Sequence, residues 1–134
     1  MRYLSIDRGG KRTGLATGDD FTGQAGPVGA IHASDEDELL RQLLKAIDEY
    51  GPDELVLGVP YNMDGSEGKP AKSAMAFAER LEASSGLRVN CVDERLTSFD
   101  ADEQMKQSGM THRQKKDRRD ALAATAILRD FLAD

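Results

Sequence analysis

Short apolar runs separated by glycines fill the first quarter of the chain, and helical periodicity takes over after them. Tyr3, Leu4 and Ile6 open a strand at about residues 2–7, and two more strands follow at about 13–18 and 27–32. Seven of the 13 glycines fall within the first 30 residues, as tight turns between short strands require. From Ser34 the period changes. "ASDEDELLRQLLKAIDEYGP" puts Leu39, Leu40, Leu43, Leu44 and Ile47 on one helical stripe, with Ser34 as the expected cap, acids in the first turn and Gly51-Pro52 as the stop. "ELVLGV" (54–59) has the length and apolarity of a buried strand, and "PYNMDGSEGKP" is an exposed loop. Residues 71–85 form a second helix ended by Gly86, and Leu87, Val89 and Cys91 alternate in a last strand at 87–92. Residues 98–108 read as a helix stopped by Gly109, and a final helix runs from about 115 to 132.

The first three strands read as an antiparallel meander. The later strands are joined through helices, which makes strands one, four and five parallel neighbours. The expected fold is α/β: one domain over residues 1–134, with a mixed five-stranded sheet ordered 3-2-1-4-5 and flanking helices. A length of 134 residues suits one such domain with a real core.

Composition narrows the function. No apolar run is long enough to span a membrane, and no apolar leader with a cleavage site precedes the first strand. The single Cys91 excludes an internal disulfide framework, so a reducing, cytoplasmic location is the expectation. With only two histidines and one cysteine, a zinc site is disfavoured. The absence of tryptophan disfavours a base-stacking platform. A net charge of −6 argues against coating nucleic acid by bulk charge, yet "KQSGMTHRQKKDRR" (106–119) holds six cations and one acid. Alone, that segment is equally a solvated helix face.

Three carboxylates stand where packing would not put them. Asp7 closes a core strand; it is either a turn cap for the next hairpin or a functional group. Asp93 and Glu94 follow the last strand, and alternation sends one of them to the same side as Asp7; a plain surface pair of Glu94 with Arg95 is the ordinary alternative. Asp120 lies three, four, seven and eleven residues before Ala123, Ala124, Ile127 and Phe131, so it continues the apolar stripe of the final helix. Asp117, one turn earlier, is its reserve. Both strands end at the carboxyl edge of the sheet, where open α/β sheets place ligands, and the final helix can bring Asp120 there. Three converging carboxylates repel one another, and a divalent ion removes the conflict. An all-oxygen donor set selects Mg²⁺ or Mn²⁺, and two such ions can serve phosphodiester hydrolysis.

"IDRGGKRTGLA", "GVPYNMDGSEG", "VDERLTS" and "KKDRRDALAATAIL", in that order and over nearly the whole chain, resemble the successive motifs of the YqgF family. These are RNase H-like nucleases, also described as Holliday junction resolvases and assigned in bacteria to 5′-end processing of pre-16S ribosomal RNA. The resemblance implies an RNase H-like domain and puts the family's acidic residues on Asp7, Glu94 and Asp120, as both catalytic groups and metal ligands. Arg8, Gly10 and Arg119 depart from the family pattern. It follows that Lys11, Arg12, Lys115 and Lys116 are candidates to meet substrate phosphates. Thr97 and Ser98 either bond phosphate or cap the next helix. The 61–68 loop either closes over nucleic acid or is only a turn.

The expected partner is nucleic acid: single-stranded or structured RNA, a ribosome precursor, or branched DNA. The expected state is a monomer or homodimer. Two rivals stand. The "DRGG…TG" opening also resembles the first phosphate loop of actin-like ATPases, which need a second such domain. A non-catalytic RNA- or ribosome-binding module would keep the fold without cleavage.

Overall fold

The structure, a computed structural model, describes residues 1–96 and 110–134. The helix expected at 98–108, together with Thr97 and Ser98, lies outside the described residues. The order is β1 (Arg2–Arg8), β2 (Arg12–Asp19), β3 (Ala25–His32), α1 (Glu36–Tyr50), β4 (Glu54–Val59), α2 (Lys69–Ser85), β5 (Val89–Asp93), a 3₁₀ turn (Glu94–Leu96) and α3 (His112–Ala133). The sheet runs β3-β2-β1-β4-β5, as the connections require. β2 is antiparallel to β1 and β3, while β4 is parallel to β1 and β5.

The sheet is buried on both faces because its central strands alternate two apolar sets. Leu4, Ile6, Leu55 and Leu57 face α1 and α2, packing with Leu39, Leu40, Leu43, Phe77 and Leu81. Tyr3 and Val56 face α3, packing with Ile127 and Leu128. Ser5 lies on that second face too, donating its hydroxyl to the Ala124 carbonyl at 2.9 Å. Asp7 is the next residue of this row, so alternation aims it at the α3 side of the sheet.

Local chemistry explains where the helices begin and end. Asp35, not Ser34, caps α1: its carboxylate accepts the Glu38 N–H at 2.8 Å, while the Ser34 hydroxyl donates to the Glu38 carboxylate at 2.8 Å. The preceding residue offers the same type of oxygen, and the sequence alone does not rank the two. Gly51 and Gly86 close α1 and α2 in the left-handed conformation that glycine favours, each returning its N–H to the last turn. α2 starts two residues before the expected 71 because Pro70 fits the first turn of a helix. α3 starts at His112, ahead of the expected 115, because Thr111 and Gln114 form a reciprocal capping box. Cys91 lies on β5, an edge strand, and is exposed.

Candidate functional site

The carboxyl ends of β1 and β5 flank that of β4, and the side chains they carry meet over small residues. Asp7 pairs with Gly14 of β2, and Gly14 is where α3 touches the sheet: a β-carbon there would overlap the Asp120 carbonyl and lie 3.0 Å from the Ala121 nitrogen. Only glycine admits the helix backbone that closely. Gly58 of β4 does the same for the second acid, Glu94. A β-carbon on it would lie 2.7 Å from Glu94 Oε1 and 2.8 Å from Ile127 Cδ1, so the Glu94 side chain rests directly on the bare strand.

Glu94 is half-buried, and its carboxyl is pushed up to about 8. Desolvation is the largest cause, followed by a hydrogen bond with Asp7 and the charges of Asp7 and Asp93. The Asp7 and Glu94 carboxyls are thus within hydrogen-bonding reach of each other. The surface pair of Glu94 with Arg95 does not form. Arg95 turns to Asp93, which accepts from its Nη2 at 2.7 Å and its Nε at 3.1 Å, and this holds the Asp93 carboxyl below its usual range. Asp93 thereby takes the cation, and Glu94 turns inward toward Asp7.

The Asp120 carboxylate is engaged by Arg12, whose Nε donates to Oδ2 at 2.8 Å. Asp117 points elsewhere, meeting His32 Nε2 at 2.8 Å beside β3. The helix register therefore separates the two: Asp120 turns to Arg12 at the start of β2, Asp117 to His32 at the end of β3. Among the described residues no three Asp, Glu, His or Cys side chains are gathered closely enough to hold a metal ion as they stand. Asp7 and Glu94 are together; the Asp120 backbone lies against Gly14, the cross-strand partner of Asp7, and its carboxylate is turned to Arg12. The carboxylates make an all-oxygen donor set, the kind that hard divalent ions take.

The cationic candidates divide. Lys11 is exposed at the hairpin tip, where its carbonyl accepts from the Ala33 N–H at 3.0 Å. Arg8 belongs to the opposite face, where it bonds Glu36 and Ser73 and lies 4.9 Å from the Phe77 ring centroid. Lys115 and Lys116 are exposed on the first turns of α3 and make no ion pair with a described residue. Those turns also carry Arg113, Arg118 and Arg119, and no acid lies in the first turn. Helix dipoles favour the reverse, so the amino end of α3 concentrates positive potential beside the carboxylates. Gly9 and Gly10, expected to provide a sharp turn, do not adopt a left-handed backbone; Gly9 is needed because the Arg12 carbonyl crowds it, and Gly10 faces open space.

Sequence reasoning missed the ties of the 61–68 loop. The Asn62 N–H donates to the Ser66 carbonyl at 3.0 Å, and Asp64 accepts from the Ser66 hydroxyl at 2.6 Å. Arg95 Nη1 reaches the Met63 carbonyl at 3.1 Å, and its guanidinium sits 5.9 Å from the Tyr61 ring centroid. The only signal was an arginine beside the second acid. Among the described residues no helix is long and apolar enough to cross a membrane.

The five-stranded mixed sheet ordered β3-β2-β1-β4-β5 is the fold of RNase H-like resolvases. The chain superposes on Thermus thermophilus RuvC in complex with a Holliday junction substrate with a TM-score of 0.60 at 13% identity, covering 98% of this chain and 93% of that one. The fowlpox virus resolvase bound to Holliday junction DNA gives a TM-score of 0.60 at 13% identity, covering 100% of both. The particular family follows from sequence: residues 1–134 match the family model described as "RuvX: Holliday junction resolvase", and the chain belongs to that family. A protein of Anaeromyxobacter sp. (strain Fw109-5) named "Putative pre-16S rRNA nuclease" is 39% identical over 132 residues, covering 98% of this chain and 96% of its own. One of the same name from Colwellia psychrerythraea is 38% identical over 128 residues, covering 96% and 86%.

Proposed function

We propose that the chain is a divalent-metal-dependent nuclease that hydrolyses phosphodiester bonds, acting in the cytoplasm on the 5′ end of pre-16S ribosomal RNA. The Asp7–Glu94 pair carries this reading: two carboxyls meet at the carboxyl edge of the sheet, and burial together with Asp7 raises Glu94 to about 8. Such a pair is costly to keep charged without a cation and is placed where ligands reach it. The relatives' names supply the substrate.

Asp7, Glu94 and Asp120 would hold Mg²⁺ or Mn²⁺. When bound, the ions supply an activated water and charge stabilisation for the leaving oxygen. The protein's part is positional. The stiff end of β1 fixes Asp7, and Gly58 lets Glu94 lie down against β4. Loading the site requires Glu94 to give up its proton, so metal binding strengthens as pH rises. Lys11, Arg12, Lys115 and Lys116 meet phosphates and set the direction of the strand without reading its bases.

The test is cleavage of pre-16S ribosomal RNA, single-stranded RNA and a four-way DNA junction by the purified protein with Mg²⁺ or Mn²⁺. Cutting of the precursor near the mature 5′ end, with the junction spared, is expected. Symmetric junction cutting with intact RNA would make the chain a resolvase. RNA binding without cleavage of any substrate would reduce it to a binding module.

A further inference from the structure

We propose that Arg12 is a charge switch: its guanidinium neutralises Asp120 in the empty site, and a substrate phosphate draws it away so that Asp120 joins Asp7 and Glu94. The proposal rests on the metal-dependent reading above and deepens it, because it names what couples nucleic acid to metal.

Three observations meet here. Arg12 Nε and Asp120 Oδ2 are paired at 2.8 Å, and the pair sits at the rim, with side chains 36% and 24% exposed. Asp120 cannot move far by backbone motion, since its carbonyl is pressed against Gly14. The variable element is therefore which cation its carboxylate faces. Finally, the Arg12 Nη1 and Nη2 groups have no hydrogen-bond partner among the described residues, so the outer edge of the fork faces solvent with donors to spare. A guanidinium prefers a bidentate phosphate to one end-on bond with a carboxylate. Arg12 lies at the start of β2, one strand from Asp7, and the basic end of α3 lies alongside Asp120. A backbone phosphate guided by that end arrives next to Arg12.

The consequence is a lock on unproductive metal loading. Without nucleic acid, a divalent ion competes with Arg12 for Asp120 and also meets the guanidinium's like charge. With nucleic acid both obstacles leave together. Linkage makes the effect reciprocal: metal tightens nucleic acid by the factor by which nucleic acid tightens metal.

The experiment is Mn²⁺ binding by calorimetry to the full chain, with and without a phosphorothioate RNA oligonucleotide that resists cleavage. Arg12→Gln is compared with wild type, Asp7→Asn and Asp120→Asn, and circular dichroism verifies that each is folded. In the absence of oligonucleotide, Arg12→Gln should bind Mn²⁺ about two- to fivefold tighter than wild type, the range an exposed pair supports. The oligonucleotide should tighten Mn²⁺ on wild type and do so by a smaller factor on Arg12→Gln. Equal Mn²⁺ affinity and equal coupling in both proteins, with binding lost in Asp7→Asn, would overturn the switch and leave the metal reading standing. Mn²⁺ binding that Asp7→Asn and Asp120→Asn retain in full would overturn the metal reading itself.

Discussion

Replacing Gly58 with alanine asks whether the placement of Glu94, rather than its presence alone, sets activity. The added methyl would stand 2.7 Å from Glu94 Oε1, 2.8 Å from its Cγ and 2.8 Å from Ile127 Cδ1. Ordinary contact needs about 3.5 Å, so Glu94 must retreat by roughly 0.7 Å. Both neighbours are side-chain atoms, so the fold can yield without moving a strand. Crowding costs about 1–3 kcal/mol, and the reduced freedom of the unfolded chain offsets about 0.4–1 of that. The melting temperature should therefore fall by only a few degrees. Catalysis is less forgiving: a displacement near 1 Å can cost about a hundredfold, so a loss of about tenfold or more in kcat is expected. The assay is single-turnover cleavage of an end-labelled RNA at saturating Mn²⁺, with thermal unfolding in parallel. Gly10→Ala is the control, since a β-carbon there meets nothing within 4 Å. Wild-type kcat in a folded Gly58→Ala protein would refute the reasoning, for it would mean that Glu94 either does not move or does not matter.

Asp7→Asn, Glu94→Gln and Asp120→Asn should each reduce cleavage on the order of a hundredfold or more while circular dichroism stays native, whereas Asp117→Asn, which removes only the His32 contact, should cleave normally. Stability should fall with rising pH through this site: the folded value of Glu94, about 8, lies above its ordinary 4.5, so the folded chain keeps a proton that the unfolded chain has lost. That contribution is complete below 4.5 and gone above 8, with a slope under about 1.4 kcal/mol per pH unit because the group is partly open to solvent. Urea unfolding between pH 5 and 9 should show the slope in wild type and a flatter one in Glu94→Gln. Neutralising Lys115, Lys116 and Arg118 together should weaken RNA binding similarly for all sequences and flatten the slope of log K against log salt by about 0.7 per lost contact. An unchanged slope in that triple variant would make the segment a solvated face.

The sheet order was legible because it depends on coarse features: apolar runs of strand length, two helical crossovers and a glycine-rich meander. Asp7 and Asp120 stand out in the sequence because each interrupts an apolar pattern at a position the pattern itself defines; the structure sets Asp7 against Glu94 and Asp120 against Arg12. Choosing Glu94 over Asp93 needed more. Alternation allowed either, and the structure decides it through Arg95, which occupies Asp93 from two residues away. Capping atoms decided the helix starts, and at Asp35 two adjacent side chains compete for one N–H, a contest that residue type does not settle. The Arg12–Asp120 pair was the least legible feature, joining residues 108 positions apart. The sequence offers Arg12 only as a candidate phosphate contact, and its pairing with Asp120 emerges from the approach of α3 to Gly14.

The central claim is that the Asp7, Glu94 and Asp120 carboxylates cut nucleic acid with a divalent ion. It is tested most directly by following cleavage of pre-16S ribosomal RNA at increasing Mn²⁺, with chelator as the zero point, in wild type and Glu94→Gln. The account predicts cleavage by wild type that saturates with Mn²⁺, disappears with chelator and stays at background in Glu94→Gln at every concentration. Cleavage that survives the chelator, or that Glu94→Gln carries out at the wild-type rate, would contradict it.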